Sequence, residues 1–227
     1  SAPHPRKKRR AAAPCGHPGS PVFLLLPLCG LPRKQHRIHG IAAGLGLYRH
    51  FAMVAEASPL PIVLYNIPGR TGVNLLPETV VRIAADYENV VAIKEASGNL
   101  QQVERIIEMA PDGFEVISGD DAIAIEVMLL GGSGLISATG NAFAEEMGEL
   151  VHAALEGRYD AALDIHRSLG EIFRLAFVEG NPSGVKCMMH HRGLCNNVLR
   201  LPLVPVSTAI DHDISAAMKS LGTAMQE

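Results

Sequence analysis

An α/β fold with a parallel sheet, followed by a helical region, is what this chain of 227 residues predicts. Two observations carry that reading. From Leu47 to Ala138, short β-branched runs alternate four times with segments of helical period, and strands separated by helices pair in parallel. After Ala144 the strand-like runs stop and only helical periodicity continues. Right-handed crossovers wind such units into an open doubly wound sheet or into part of a barrel, and periodicity alone leaves both open.

Taken in order, residues 48–57 read as a helix and Pro61-Ile62-Val63-Leu64-Tyr65 as the first strong strand. Residues 77–85 form a helix that opens on Pro77, a residue suited to the first helical turn because its missing N–H is not needed there. Residues 90–94 are the next strand, 100–109 a helix, 114–118 a strand, 121–130 a helix and 134–138 a strand. Helical segments follow at 145–156, 159–178, 183–193 and 207–221. The run Val22-Phe23-Leu24-Leu25-Leu26 adds one further strand upstream. The chain therefore divides into an atypical segment 1–41, a βα region 42–144 and a helical region 145–227.

Composition narrows the class. A chain 48% hydrophobic and 19% charged, with a formal charge of −3, is that of a globular protein with a sizeable core and no overall pull toward nucleic acid. Four irregularly spaced cysteines read as reduced thiols and place the protein in the cytoplasm. No apolar run approaches the roughly 20 residues that span a bilayer. Residues 1–41 are crowded with Pro, Arg, Lys and His and read as a disordered basic tail. Arg6-Lys7-Lys8-Arg9-Arg10 is read as part of that solvated tail rather than as a nuclear address or nucleic-acid patch. Pro27 interrupts the apolar run that a secretory signal would need.

Chemistry concentrates at two strand ends. Lys94 ends Val90-Val91-Ala92-Ile93 and leads into Glu95-Ala96-Ser97-Gly98-Asn99, so a strand delivers an amine from an apolar core to a polar turn. An apolar surround disfavours the ammonium form and leaves neutral amine able to attack a carbonyl. Tyr65 ends the preceding strand 29 residues earlier, about one βα unit. Reacting groups of parallel α/β folds sit at such carboxyl ends, and neighbouring strands lie about 4.8 Å apart, so phenol and amine reach one substrate. The alternative reading, a solvated lysine at a strand end, needs no chemistry.

A series of motifs then follows in order: Tyr65-Asn66-Ile67-Pro68-Gly69-Arg70-Thr71-Gly72, Ala92-Ile93-Lys94-Glu95-Ala96-Ser97-Gly98-Asn99, Ile117-Ser118-Gly119-Asp120-Asp121, Gly134-Leu135-Ile136-Ser137-Ala138-Thr139-Gly140-Asn141 and Glu179-Gly180-Asn181-Pro182-Ser183-Gly184-Val185-Lys186. Together they resemble the dihydrodipicolinate synthases, pyruvate-dependent class I aldolases, from about Gly46 to Leu201-Pro202-Leu203. The resemblance implies a partial TIM (β/α)8 barrel of about four C-terminal units. It implies that Lys94 forms a Schiff base with pyruvate, that Tyr65 relays protons, and that Arg70 clamps the carboxylate of aspartate semialdehyde. Ile136 and Gly119 would border the pyruvate pocket, and Asn181 would lie near the site. It also implies a homo-oligomer, a tetramer in the family, that needs no cofactor beyond the covalent pyruvate adduct, no metal, no nucleic acid and no membrane. The Pro-Gly-Arg-Thr-Gly turn favours the synthase over a related sugar-acid aldolase. A third reading is a non-catalytic binding or assembly module.

The chain departs from the family pattern upstream. The Gly-Thr-Thr-Gly-Glu and Thr-Pro-Tyr-Tyr-Asn segments have no counterpart, and Pro32-Arg33-Lys34-Gln35-His36-Arg37-Ile38-His39 stands where the second belongs. The Pro, Arg and Ala richness of 1–41 reads as a frameshifted start, and weak or absent activity of this polypeptide alone is expected. Cys187, His190, His191 and Cys195 share one helical segment but match no common zinc spacing, and Cys15, His17, Cys29, His36 and His39 do no better. Gly131-Gly132-Ser133-Gly134 lacks the ending of a phosphate loop and reads as a helix stop. An Asp at the Asp120-Asp121 strand end reads as a helix cap rather than half of an acid–base pair.

Overall fold

The computed structural model describes residues 24–27 and 41–224. The basic run and the Cys and His residues before Ile41 lie outside the described residues. Strand β1 (Leu24–Pro27) and helix α1 (Ile41–Ala57) are followed by β2 (Ile62–Asn66), a single turn α2 (Pro68–Thr71), α3 (Pro77–Asp86) and β3 (Val90–Glu95). Then come α4 (Leu100–Met109), β4 (Glu115–Ser118), α5 (Ala124–Leu130) and β5 (Gly134–Leu135). The chain continues through α6 (Ala144–Leu155), α7 (Tyr159–Phe177), α8 (Ser183–His191) and α9 (Thr208–Ala224). Among the described residues no helix is long and apolar enough to cross a membrane.

The five strands are parallel and ordered β1-β2-β3-β4-β5. That order decides between the two windings. A doubly wound sheet reverses direction at a switch point; here each strand adds to the same edge. Right-handed crossovers then put every connecting helix on one face, which makes the sheet an arc of a (β/α) barrel.

On the helical face, Ile62, Leu64, Val90, Ile93 and Val116 pack against Phe51, Val80, Ile83, Val103 and Ile106. Strand alternation sends Tyr65 and Lys94 to the other face, the inside of the arc. A bulge preserves this parity: Ile62 pairs with Val90 but Val63 pairs with Ala92, leaving Val91 over. A second core joins α6 to α9 through Leu150, Leu169, Ile172, Leu175, Met188 and Ile214. Helix α5 belongs to both: Val127 faces the sheet core, while Ile125 and Met128 enter the helical one.

Two expected elements change character. The strand over 134–138 pairs only at Gly134 and Leu135, although Ile136 N–H still donates to the Ser118 carbonyl at 2.9 Å. Beyond it, Asp121 Oδ2 accepts from Thr139 N–H (2.9 Å) and Oγ1 (2.6 Å), and Ser137 Oγ accepts from Gly140 N–H (2.7 Å). These side chains offer the backbone a turn in place of a ladder. The helix expected from 121 begins as a 3₁₀ turn, Asp121–Ile123, and only then becomes α5. Asp120 is its cap, Oδ1 accepting from Ala122 N–H at 3.0 Å. Gly131 ends α5 at φ 113°, the left-handed stop expected of the glycine run.

Candidate active site

Register brings the amine and the phenol together. Tyr65 is the pairing partner of Lys94 across β2 and β3, and Ile117 is its partner across β3 and β4. All three are half-buried on the inner face. Lys94 Nζ lies 4.2 Å from the Tyr65 ring centroid, a distance at which the ring face attracts a cation and the phenol edge stays within reach of the amine's partner.

Gly119 makes room for this arrangement. A Cβ there would lie 2.7 Å from Ala96 Cβ and 3.0 Å from both Cγ and Cε of Lys94. Any side chain would push the lysine stem off the strand end. Gly119 N–H also donates to the Glu95 carbonyl at 2.7 Å, which holds the two strand ends level. Ile136 follows at the end of β5, so Tyr65, Lys94, Gly119 and Ile136 occupy four successive strand ends. Arg70 and Asn181 meet each other: the exposed guanidinium Nη2 donates to the Asn181 carbonyl at 3.2 Å. What Asn181 offers in that contact is its backbone, not its amide.

A buried polar network behind Lys94 is a feature the sequence reading missed. Glu95 is 2% exposed and points to the helical side of the sheet, opposite the lysine. Its carboxylate accepts from Asn66 Nδ2 (2.9 Å), Gln102 Nε2 (3.0 Å) and Ser97 N–H (2.7 Å). Asn74 bridges Asn66 and Gln102, and Asn66 Oδ1 accepts from Leu75 N–H at 3.0 Å. These donors satisfy a buried carboxylate and tie β2, β3 and α4 together where the amine emerges. Strand parity was the signal: the residue after an inward lysine must face the helices.

The expected group of Cys187, His190, His191 and Cys195 divides, since α8 ends at His191 and Cys195 lies beyond it. His190 Nδ1 lies 3.1 Å from the Cys195 carbonyl, whereas Cys187 and His191 converge on Asp211 of α9. Cys187 Sγ donates to Asp211 Oδ1 at 3.0 Å, and His191 Nε2 lies 2.6 Å from the same oxygen. Burial, then the hydrogen bond to Asp211, pushes the Cys187 thiol up to about 12. Hydrogen bonds from Cys187 and then His191 hold the Asp211 carboxyl below the usual range.

A one-way wound parallel arc, with an amine over a phenol at adjacent strand ends on its inner face, defines a lysine-bearing (β/α) barrel. Comparison with known proteins narrows this. The family model of the dihydrodipicolinate synthetase family matches residues 42–221. A 4-hydroxy-tetrahydrodipicolinate synthase of Parabacteroides distasonis is 50% identical over 176 residues, covering 78% of this chain and 59% of the relative. That of Pelobacter propionicus is 48% identical over 201 residues, 88% of this chain and 66% of the relative. The crystal structure of dihydrodipicolinate synthase from Thermotoga maritima superposes with a TM-score of 0.79 at 37% identity, covering 89% of this chain and 66% of that one. The chain belongs to the dihydrodipicolinate synthetase family. It spans a little under three-fifths of the length of the Parabacteroides relative.

Proposed function

We propose that this chain carries the Schiff-base centre of a lyase that condenses pyruvate with aspartate semialdehyde to 4-hydroxy-tetrahydrodipicolinate, a step of lysine and diaminopimelate biosynthesis. The observation that carries the reading is the Lys94 amine set 4.2 Å over the Tyr65 ring by strand register. The names of the relatives support the product, 4-hydroxy-tetrahydrodipicolinate.

In this reading neutral Lys94 attacks the ketone of pyruvate, and the carbinolamine loses water to give an iminium. A methyl proton leaves, the electrons move into the C–N bond system, and the resulting enamine attacks the aldehyde carbon of the semialdehyde. The semialdehyde's amino group then closes on the imine carbon, which expels the lysine and restores the free amine. Tyr65 moves protons between these species. The guanidinium of Arg70, steadied by the Asn181 carbonyl, takes the semialdehyde carboxylate through its planar fork. Ile136 and Gly119, against which the Lys94 stem lies, border the pyruvate pocket. The chemistry needs no cofactor beyond the covalent adduct.

Five strands form the arc among the described residues, and the family's upstream relay segments have no counterpart in this sequence. For a polypeptide of these 227 residues alone, imine formation at Lys94 is expected with turnover depressed by roughly a hundredfold or more, the range that missing acid–base groups account for. Product formation from pyruvate and aspartate semialdehyde, set beside a full-length family enzyme, measures this. Turnover equal to that enzyme's would show that the upstream relay is dispensable.

Self-association into a homo-oligomer is part of the proposal. The loop between α8 and α9 exposes Leu194 (58%), Val198 (67%), Leu201 (78%) and Val204 (59%), an apolar stretch that association would cover. Free thiols at Cys187 and Cys195 support a reducing, cytoplasmic setting.

A further inference from the structure

The strongest unassigned chemistry lies away from the barrel, where α8 meets α9. Cys187 and His191 are four residues apart on α8, so they share one helix face. Asp211, in the first turn of α9, closes on both. One donor atom from each of the three lies within 4.8 Å of the others. A sulfur, an imidazole nitrogen and a carboxylate oxygen at that spacing are the donor set of zinc-like cations.

We propose that Cys187, His191 and Asp211 form a binding site for one zinc-class divalent cation, which clamps α8 to α9. The proposal departs from the expectation that this family needs no metal, and it is independent of the aldolase chemistry. The sulfur forms the floor: Cys187 is 0% exposed. The imidazole and carboxylate form the mouth, with side chains 30% and 47% exposed, so an ion enters from solvent and keeps a water in its fourth position.

Two groups share Asp211 Oδ1, the Cys187 thiol donating to it at 3.0 Å and His191 Nε2 lying 2.6 Å away. Binding replaces these hydrogen bonds with one S–metal, one N–metal and one O–metal bond. The thiol proton passes to water; Nε2 gives up to water the proton it directs at Asp211, and Nδ1 takes one from water, so the bound imidazole is neutral. No electron changes hands. The grouping escaped the sequence because Asp211 lies 20 residues beyond His191, on a separate element.

Titration of the full chain with Co²⁺, used as a coloured substitute for Zn²⁺, tests the site. One Co²⁺ per chain is expected, with a thiolate-to-metal charge-transfer band that Cys187→Ala abolishes. Loss of an outer-shell partner alone costs 10–100-fold in affinity, so His191→Gln and Asp211→Asn, both near the surface, should each weaken binding by at least about tenfold. Zn²⁺ should raise the melting temperature of the wild type but not of His191→Gln. A thiolate band that survives Cys187→Ala would assign the metal to Cys15, Cys29 or Cys195 and overturn the proposal. The absence of such a band, or equal affinity in His191→Gln, would do the same.

Discussion

At Gly119 one hydrogen in place of a methyl decides whether Lys94 has a place to lie. The contacts a Cβ would make, 2.7 Å to Ala96 and 3.0 Å to the lysine stem, cannot relax into a flexible chain end, since Ala96 has none. Gly119→Ala is expected to leave the circular dichroism spectrum unchanged while lowering pyruvate imine formation by about a hundredfold, the cost of misplacing a reacting group by about an ångström. An unchanged rate would remove Gly119 from the site. Glu95 supports the same lysine from behind. Glu95→Gln sets an N–H against the donors of Asn66, Gln102 or Ser97, and a buried donor left unpaired costs about 1–3 kcal/mol. A lower urea midpoint with an unchanged slope checks this. Lys94 and Tyr65 were legible in the sequence because each ends an apolar strand. Glu95 was passed over as part of a polar turn, and its side-chain partners Asn66 and Gln102 are not adjacent to it in sequence.

Elements are set by their ends as much as by their faces. Asn99 caps α4, its Oδ1 accepting from Gln102 N–H at 3.2 Å, and Gln102 in turn reaches Glu95. Asn99→Ala should destabilise the fold by about 1 kcal/mol, read as a small fall in the same urea midpoint; no change would mean that tertiary packing alone positions α4. Glu179 does a similar service for α9, accepting from the backbone N–H and the hydroxyl of Ser207 at 2.7 Å each. Helix and strand periods located the βα units from β2 onward to within a few residues, but α1, expected over 48–57, begins seven residues earlier at Ile41. The end of the last strand was not legible: Gly134 to Ala138 has a strand's composition, but Asp121, 18 residues before Thr139, draws the chain into a turn. The contact is long-range, and no local pattern announces it.

For the whole molecule, the sequence left open a doubly wound sheet or a barrel, because both are built from the same right-handed unit. Strand order resolves it, and that order emerges only when all five strands are paired. Motif resemblance reached the barrel earlier, through residues now found at successive strand ends. The arc, the bulge at Val91 and the Glu95 network together converge on one outcome: an amine presented on the inner face beside a phenol. Incubation of the folded chain with pyruvate and borohydride, followed by peptide mapping, tests this most directly. A reduced pyruvyl adduct on Lys94 alone, absent from Lys94→Ala, is the expected result. A folded sample that takes up no pyruvate, or that carries the adduct on another lysine, would contradict the account.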